Sequence, residues 1–507
     1  MPAPPQMNQA EHQSLEVFLR DNLSDDQRSR VGLMSFNQWP WTTAALTETA
    51  VAFHGIGSSV AVAFWSDRTP LRDPGWSTSH RIARLFGSRP IEASAQQLIE
   101  ESGVPRSAFV DPPIPRHKVE ILPDLPDPLT RADIRRLTYK GSGMGRSILQ
   151  VHPDFNTPIR DDYIWPSRWI RKAMESYAWV FDQTLALITA RDLRTIVVFN
   201  GRFTHDRAAA AAAESVGVKV LYYDYGGIET YFDLTHSTTH DWDGLQARMI
   251  TMWSDWGADR DEISHAWFAN RENRSEPGIE VFIGEQEPEH LPELPSDQTL
   301  VTFFSSSGDE IAELDLDWTQ YFGSQVEALR TLATMVDGIP DMTLVVRTHP
   351  HMRLKPKDDL KHWVAAVEEI GRNIHIGPDS PTDSYALMRA SDRVITYGST
   401  SGIESAYRGR PTAVMGPSAY QLLGCVTPLT NEEELARWLE SPPAIRPELA
   451  LPYGLMMQRR GLNLSWLTSN ADGTIGKGDK LLREPSVNAR KLSHAWRSLS
   501  TRWLTSR

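Results

Sequence analysis

Short apolar runs that end in polar or glycine-rich loops alternate with helical stretches along most of the chain. Four such runs in the N-terminal half predict strands: 30–36, 59–67, 194–202 and 219–227,. Helical spacing lies between them, most clearly over 162–190 and in the alanine-rich stretch 206–216. Because strand, helix and strand joined by short loops are typical of parallel βαβ units, this half is predicted to hold a parallel sheet.

The same alternation restarts after the polar, proline-containing stretch 287–297. Five further apolar runs, separated by helical stretches, are TLVTFFSSSG, MTLVVRTHP, NIHIG, RVITYGS and PTAVMG. Five strands with intervening helices in so short a segment predict a doubly wound α/β domain. The predicted fold class is therefore α/β, with two Rossmann-like doubly wound domains and a C-terminal helical tail. The predicted boundaries are an N-terminal domain over 1–286, a linker over 287–297, a nucleotide-binding domain over 298–440 and a helical extension over 441–507.

Composition and charge narrow the class of protein. The 507 residues are 40% hydrophobic and 23% charged, as in ordinary globular proteins,. No apolar run approaches the length of a membrane span, and the N-terminus lacks the basic start and apolar core of a secretory signal,. Cys425 is the only cysteine, which excludes disulfides within the chain and zinc sites built from several cysteines,. These features predict a cytoplasmic protein.

The formal net charge of −13 argues against a nucleic-acid partner,. Residues 477–507, however, carry eight Lys or Arg against two acidic residues. Within this tail Leu492, Trp496, Leu499 and Trp503 form one apolar stripe at helical spacing,. The stripe predicts either a helix that lies on a membrane surface, making a peripheral contact, or a terminal helix that packs back onto the N-terminal domain.

Candidate chemistry gathers at the predicted carboxyl ends of the C-terminal strands, where open parallel sheets bind ligands. Small hydroxylated residues and glycines there suit a phosphate, and a basic pair on the neighbouring strand adds donors. The residues are Ser305, Ser306, Ser307, Gly308, Arg347, His349, Gly398, Ser399, Thr400 and Ser401. Glu404, one turn into the following helix, is predicted to accept the hydroxyls of a ribose. Taken singly, each cluster also fits a helix cap or a turn, and the phosphate site rests on all three falling at one sheet edge.

These residues resemble a known family. The segment 299–420 resembles the nucleotide-binding domain of GT-B glycosyltransferases, above all those of bacterial capsule and lipopolysaccharide gene clusters. The stretch ITYGSTSGIESAYRGRPTAVMGPSAY over 395–420 is the strongest match. His349-Pro350 is also similar to the His-Pro motif of transferases that use CMP-activated sugars.

In the N-terminal half, residues 197–227 resemble a second block of the family. Relatives usually have Glu-Arg-Gly where this chain has Asp224-Tyr225-Gly226, which keeps a carboxylate and loses the arginine. The resemblance implies two domains that face each other across a cleft, with the nucleotide-sugar donor, including a CMP-activated one, on the C-terminal domain. A surface polysaccharide or lipid-linked glycan would then be the acceptor.

The resemblance also implies roles for single residues. Arg347, His349 and the amides of 399–401 would stabilise the leaving phosphate without a metal ion or another cofactor. Asp224 and Glu229 are candidates for the general base, with His54 and His205 as further ones. Asn200 and Arg202 would hold the acceptor or a phosphate. The metal-like triplet Asp315-Leu316-Asp317 reads as a solvated face.

Three classes of function remain open on the sequence. The first is a glycosyltransferase that uses a nucleotide-sugar. The second is another reaction on the same fold, a glycerophosphotransferase or a sugar-nucleotide epimerase. The third is a catalytically silent scaffold of polysaccharide assembly, which only the departure at 224–226 favours.

Overall fold

The computed structural model describes residues 14–66, 69–71, 91–111, 124–150, 163–227, 231–238, 241–275, 286–307, 313, 322–355, 357–470 and 474–482. These residues form two compact units. Unit 1 holds those up to 238 and those from 460 onward, and unit 2 holds those of 241–459. The division differs from the predicted boundaries, because 241–275 and the predicted linker 287–297 both belong to unit 2. One cause is local: helix Arg260–Glu272 packs against helix Leu451–Arg459, where a Cβ on Gly454 would lie 2.9 Å from the carbonyl oxygen of Ser264.

Unit 1 contains eight of the helices in the described ranges. They are α1 Leu15–Asn22, α2 Asp25–Ser29, α3 Pro40–Gly55, α4 Ile91–Glu101, α5 Arg131–Arg135, α6 Gly145–Gln150, α7 Ser167–Arg191 and α8 Thr204–Ser215. Its strands are β1 Arg30–Ser35, β2 Ser59–Phe64, β3 Thr138–Tyr139, β4 Ser142–Gly143, β5 Thr195–Phe199, β6 Lys219–Tyr225 and β7 Tyr231–Thr235. The four strands predicted from the sequence are thus present as β1, β2, β5 and β6.

The main sheet of unit 1 is only partly parallel. Its described strands have the order β14-β7-β6-β5-β1-β2, in which β14 is Leu462–Asn463 from the end of the chain. β1 pairs in parallel with β2 and β5, and β5 with β6, as the βαβ pattern predicts. The expectation of a parallel sheet is corrected at one edge, where β7 and β14 pair antiparallel. β6 ends at Tyr225 and β7 begins at Tyr231, and so short a connection suits antiparallel pairing, whereas a parallel pair needs a longer crossover,.

Unit 2 contains the second doubly wound sheet. Its strands are β8 Thr299–Phe304, β9 Met342–Arg347, β10 Asn373–Ile376, β11 Arg393–Thr396, β12 Thr412–Val414 and β13 Thr427–Pro428. Its helices are α9 Trp242–Asp255, α10 Arg260–Glu272, α11 Gln325–Asp337, α12 Lys357–Glu369, α13 Ser384–Ala390, α14 Ser401–Tyr407, α15 Glu432–Glu440 and α16 Leu451–Arg459. The single helical region predicted over 243–272 is the pair α9 and α10.

The sheet of unit 2 has the strand order β10-β9-β8-β11-β12-β13, and every pair in it is parallel. The order reverses between β8 and β11, which is the topological switch point of a Rossmann fold. Every residue of β9 and β12 is buried. Near-continuous apolar strands of this kind are expected where helices cover both faces of a parallel sheet. The predicted α/β class with doubly wound sheets is confirmed.

The C-terminal segment returns to unit 1 as strands in its described part. After β14, the strands β15 Thr468–Ser469, β16 Ile475–Lys477 and β17 Lys480–Leu482 form a small antiparallel sheet. The backbone N–H groups of 465–467 all donate to the buried carboxylate of Glu48 in α3. The helical extension predicted from 441 is therefore corrected for 460–482. The apolar stripe of 492–503 lies outside the described residues, as does most of the basic tail.

None of the helices in the described ranges combines the length and apolar character needed to cross a lipid bilayer.

Candidate functional site

The carboxyl ends of β8 and β9 are fastened together in unit 2. Phe304 pairs with Arg347, and the backbone N–H of Ser305 donates to the carbonyl oxygen of Arg347 at 3.1 Å. The Ser305 hydroxyl accepts the N–H of His349 at 2.8 Å. Ser305 is thus buried, and its hydroxyl is engaged in the hydrogen bond that joins the two strand ends. The predicted neighbourhood of the serine run and the Arg-Thr-His run is present.

Arg347 is the most unusual group at this edge. Its side chain is 1% exposed, and Nη1 donates to the carbonyl oxygen of Gly377, which follows β10. Within the described residues, Nε and Nη2 have no hydrogen-bond partner. Burial lowers the pKa of the guanidinium to about 10, so it stays charged at neutral pH. A buried cation with two unfilled donors is unfavourable unless an anion completes it.

His349 begins a 3₁₀ turn, Pro350–Leu354, directly after this strand. Its Nδ1 accepts the backbone N–H of His351 at 3.2 Å. An accepting Nδ1 places the ring proton on Nε2 in the neutral form, so Nε2–H is the donor that this imidazole can offer. The preceding Thr348 is fully buried. Its hydroxyl forms hydrogen bonds with the side chains of Trp363 and His375, each at 2.8 Å, and these bonds hold the loop in place.

The loop after β11 makes a tight turn at the switch point. Gly398 has φ +78°, a left-handed conformation that favours glycine,. The hydroxyl of Ser399 lies 3.2 Å from that of Ser401 and accepts the Ser401 N–H at 3.3 Å. The hydroxyl of Tyr420 donates to the Ser399 carbonyl oxygen at 2.5 Å. The turn is therefore rigid, with Thr400 exposed at its tip.

The remaining serines of the first cluster lie on a tethered loop. The backbone N–H of Ser306 donates to the side-chain oxygen of Gln325 at 2.6 Å, and the amide nitrogen of Gln325 donates back to the Ser306 carbonyl at 3.3 Å. Ser307 follows it, half-buried. Gly308 and the triplet 315–317 lie outside the described residues. Gln325 is a contributor that the sequence analysis missed.

Glu404 has two protein partners in unit 2. Its Oε1 accepts Nε of Arg271 at 2.9 Å, and its Oε2 accepts the hydroxyl of Tyr385 at 2.5 Å. The carboxylate is 4% exposed. Burial and the Glu404 charge raise the pKa of Tyr385, so its hydroxyl remains a donor. Arg408 lies over the Tyr385 ring, 4.5 Å from its centroid, and bonds Glu272 at 2.7 Å. This network ties α10 to α13 and α14, and no local sequence signal predicts it.

In unit 1, Asn200 and Asp224 meet at the carboxyl ends of β5 and β6. Asn200 has φ +50°, a conformation that asparagine tolerates, and its amide nitrogen donates to Oδ2 of Asp224,. Oδ1 of Asp224 accepts the N–H of Tyr225 at 2.7 Å. Gly201 follows with φ +78°, and a Cβ there would lie 2.3 Å from the Tyr222 ring. The predicted neighbours Asn200 and Asp224 are thus in direct contact.

A second carboxyl lies beside Asp224 that the sequence analysis did not single out. Asp206, in the first turn of α8, is 3% exposed, and its Oδ1 has no hydrogen-bond partner within the described residues. Burial raises its pKa well above the usual range, and the charge of Asp224 adds to the rise. Two neighbouring carboxyls whose environments differ are a pattern typical of acid–base sites.

The other candidates for the general base are His205, His54 and Glu229. His205 is buried against Ser176 of α7, with 2.8 Å between Nε2 and the hydroxyl, and burial lowers its pKa to about 4. It is a neutral packing residue. His54 lies near the last turn of α3, at the end remote from the carboxyl edge where α3 begins. Glu229 lies outside the described residues.

Aromatic rings cover the same edge of unit 1. The ring of Trp41 stacks on that of Tyr225, with centroids 4.1 Å apart and an interplanar angle of 18°. Arg202 holds its guanidinium 4.8 Å from the centroid of the Phe203 ring. The guanidinium of Arg460, from the returning segment, donates to the Tyr225 carbonyl oxygen at 2.9 Å. An arginine thus reaches this corner, although position 225 itself carries a tyrosine.

Nowhere in the described ranges do three or more His, Cys, Asp or Glu side chains gather as a metal-binding group would.

Comparison with known protein families matches a segment of unit 2. Residues 315–454 match the family described as "Capsule polysaccharide biosynthesis protein". For this segment, the predicted resemblance is confirmed. The match includes the loops that carry Arg347, His349 and the turn at 398–401. A search of curated proteins found no match.

Solved structures give weaker likenesses. A β-Kdo 2,4 transferase, KpsC of Thermosulfurimonas dismutans, is 13% identical, covers 52% of this chain and 79% of its own, and has a TM-score of 0.36. Its β-Kdo 2,7 transferase counterpart is 14% identical, with 54% and 80% covered and a TM-score of 0.33. A UDP-GlcNAc 2-epimerase from Neisseria meningitidis is 9% identical, with 93% and 100% covered and a TM-score of 0.26. Scores of this size carry no argument, and the fold rests on the strand order described above.

Proposed function

We propose that the protein is a glycosyltransferase of surface-polysaccharide synthesis. It moves a sugar from a nucleotide-sugar donor, CMP-activated sugars included, to a glycan or lipid-linked glycan. Unit 2 binds the donor, and unit 1 binds the acceptor. The single observation that carries the proposal is the buried, charged Arg347 at the carboxyl edge of a Rossmann sheet, with two donor nitrogens that have no partner among the described residues,.

The donor phosphate supplies the missing partner of Arg347. A guanidinium offers two N–H groups in the geometry of a phosphate, and charge-assisted bonds of this kind are the strong ones. His349 adds its Nε2–H, and the turn 398–401 adds hydroxyls at the same carboxyl edge of the sheet, beyond β8. Negative charge develops on the phosphate oxygen as the sugar leaves. Fixed donors in a buried place stabilise that charge without reorganising, so these residues take the role that a divalent ion has in other transferases.

Asp224 is the proposed general base. In a direct transfer, an acceptor hydroxyl oxygen forms a bond to the anomeric carbon, the bond from that carbon to the phosphate oxygen breaks, and the hydroxyl proton goes to the carboxylate. Asp224 is held from both sides, by the Asn200 amide and the Tyr225 N–H, so its oxygens have fixed positions. Asn200 and Arg202 are proposed to bind acceptor hydroxyls. The peripheral membrane contact of 477–507 remains part of the proposal for a lipid-linked acceptor.

The first test measures thermal unfolding with CMP, CDP, UDP, GDP and CMP- or UDP-activated sugars, each with and without EDTA. A ligand present at about 100 times its dissociation constant stabilises the folded protein by about 2.7 kcal/mol, which moves the midpoint visibly. We expect one nucleotide class to stabilise the protein and EDTA to leave the effect unchanged. Stabilisation that EDTA abolishes would contradict the metal-independent role of Arg347.

Product analysis then separates the reactions that this fold supports. Incubation of the stabilising donor with acceptor glycans is expected to release the free nucleotide and lengthen the glycan. Conversion of the donor into an isomer without release of nucleotide would instead identify an epimerase. Transfer of glycerol phosphate from CDP-glycerol would identify a glycerophosphotransferase. Absence of stabilisation by every nucleotide would move the assignment to a scaffold.

A further inference from the structure

The last two residues of β5 lie beyond the pairing of this strand with β1. The register of the two strands ends at Leu33 and Val197, whereas β5 continues to Phe199. Successive N–H groups of a strand alternate in direction, and that of Asn200 donates to β6 at the Tyr223 carbonyl oxygen,. The N–H of Phe199 therefore points toward β1, past the end of the ladder. A buried donor in such a place needs another acceptor.

The carboxyl group of Asp206 is that acceptor. Asp206 is the third residue of α8, and its carboxyl accepts the backbone N–H of Phe199 as well as its own N–H. The residue is 3% exposed, so these bonds are shielded from water. A side chain of α8 thus fastens the end of the strand at which the site loop begins.

The fastened strand end carries the acceptor-side pair. Asn200 directly follows Phe199, has φ +50° and donates its amide N–H to Asp224. A positive φ outside glycine is unfavourable and persists where surrounding contacts impose it. The bond to Asp206 fixes the residue immediately before this conformation. The orientation of the Asp224 carboxylate therefore depends on Asp206 through two hydrogen bonds and one residue of backbone.

The charge state of Asp206 suits this task. Burial raises its pKa well above the usual range, and the charge of Asp224 adds to the rise. A neutral carboxyl keeps its carbonyl oxygen as an acceptor and does not repel the Asp224 charge. Asparagine has the same shape and the same acceptor as this neutral acid, whereas leucine has neither charge nor acceptor. The two substitutions therefore separate the hydrogen bond from the space that the side chain fills.

We propose that Asp206 is a positioning residue for sugar transfer: through the N–H of Phe199 it holds Asn200, and with it the Asp224 carboxylate, in the orientation that meets the acceptor hydroxyl. The proposal rests on the proposed function, in which Asp224 is the base. Asp206 acts through these residues and does not itself take the proton, so its loss affects kcat and leaves donor binding in unit 2 unchanged.

The test compares full-length wild type with Asp206→Leu, Asp206→Asn and Asp133→Leu. Asp133 is the matched control, because it is the third residue of α5 in the same unit and its partners are Thr130 and Arg136. The donor is the CMP- or UDP-sugar that stabilises the protein in the thermal test. Steady-state kinetics give kcat and KM, and hydrogen–deuterium exchange without any ligand reports the amides of 199–201.

We expect Asp206→Leu to lower kcat at least about 10-fold and to leave KM for the donor nearly unchanged, because a shift of roughly 1 Å in a reacting group can cost about 10²-fold. Asp206→Asn should restore most of kcat, since it keeps the acceptor. Amide exchange at 199–201 should be faster in Asp206→Leu alone. Both leucine variants lose a hydrogen bond of a first helical turn and should unfold at lower temperature, yet Asp133→Leu should keep the wild-type kcat.

Each other outcome has one meaning. Wild-type kcat, or wild-type exchange at 199–201, in Asp206→Leu would overturn the proposal. So would an equal loss of kcat in Asp206→Asn. If Asp206→Leu does not fold, Asp206→Ala takes its place under the same criteria. If wild type transfers no sugar while exchange at 199–201 is faster in Asp206→Leu alone, the proposed function fails and the hold of Asp206 on the strand end stands.

Discussion

The two sheets of this protein share a plan and differ in what their loops carry. In unit 1, β1 pairs with both β2 and β5, and in unit 2, β8 pairs with both β9 and β11, so each sheet has a point where strand order reverses. At the edge of unit 2, Arg347 is a buried cation at the end of β9, while the buried carboxylate of Glu404 is already bonded to Arg271 and Tyr385. At the edge of unit 1 the buried groups are the carboxyls of Asp206 and Asp224, beside aromatic rings. The fold places a binding edge at the carboxyl ends of the strands in each sheet. The loop residues there determine whether that edge binds an anion, as a buried arginine would, or accepts a proton, as a carboxylate would.

Burial acts on both edges but leaves one group charged and the other neutral. It lowers the pKa of Arg347 to about 10, which still keeps the guanidinium charged at neutral pH. It raises the pKa of Asp206 well above the usual range, which favours the neutral carboxylic acid. An arginine starts from so high a pKa that burial cannot discharge it, whereas an aspartate starts below neutrality and moves toward it. This contrast is the basis of four predictions.

The largest effect is expected for Asp224→Asn. The change removes the proposed base and keeps its shape, so kcat for transfer should fall about 10²- to 10⁴-fold, while nucleotide binding to unit 2 stays as in wild type. Steady-state kinetics and nucleotide titration measure the two quantities. Asp255→Asn is the control, because it makes the same change at an exposed aspartate of unit 2 and should leave transfer activity unchanged. Full transfer activity in Asp224→Asn would show that the base is another group.

Arg347→Met is expected to act on the other edge. Loss of two charge-assisted hydrogen bonds should weaken nucleotide binding at least about 10-fold. Because Nε and Nη2 have no hydrogen-bond partner among the described residues, the unfolding midpoint without ligand should stay the same or rise,. Calorimetric titration and thermal unfolding provide the two measurements. Arg330→Met, which breaks an exposed ion pair with Glu369, is the matched control. Unchanged nucleotide affinity together with a lowered midpoint would make Arg347 a structural residue.

Glu404→Gln distinguishes a ribose contact from a structural one. Since Arg271 and Tyr385 already bond the carboxylate, we expect a loss of about 1–3 kcal/mol in the free energy of unfolding,. The ratio of affinities for CMP and 2′-deoxy-CMP should not change. Denaturant unfolding and paired titrations test both statements. A collapse of that ratio, without a change in stability, would instead support the predicted role of Glu404 in ribose binding.

The smallest effect is expected for Asp206→Asn, and it depends on pH. The pKa of Asp206 is raised in the folded protein, so as pH rises above the ordinary carboxyl pKa, near 4, the unfolded chain loses this proton while the folded protein keeps it,. Folding stability is therefore lost with rising pH until the folded pKa is passed. Asparagine lacks this dependence, so the variant should unfold a few degrees above wild type at pH 8 and less so at pH 5. Equal gains at both values would contradict the raised pKa.

Much of the site can be predicted from local sequence, because the residue at which a strand ends depends on its near neighbours in the chain. The apolar runs fix where β8, β9 and β11 stop, and parallel pairing then brings their loops to one edge, as predicted for Ser305, Arg347 and Ser399. Asn200 and Asp224 meet for the same reason. Parallel pairing, however, does not indicate which hydroxyl groups form hydrogen bonds within the loops and which remain available to a ligand. Ser305 is used to join two strands, and this was not predictable from its sequence neighbours.

The sequence by itself determined the class of fold, the strands that build both sheets and the edges at which chemistry gathers, because hydrophobic period and loop composition act over a few residues. Only the tertiary structure decided the pairs that are distant in sequence: Glu404 with Arg271, Trp41 with Tyr225, and Glu48 with the returning chain at 465–467. Such pairs depend on how packed elements happen to align, and no periodic pattern along the chain encodes that alignment. The same packing buried Arg347 with two nitrogens, Nε and Nη2, that have no hydrogen-bond partner among the described residues, and this turned a basic residue at a strand end into a candidate anion site.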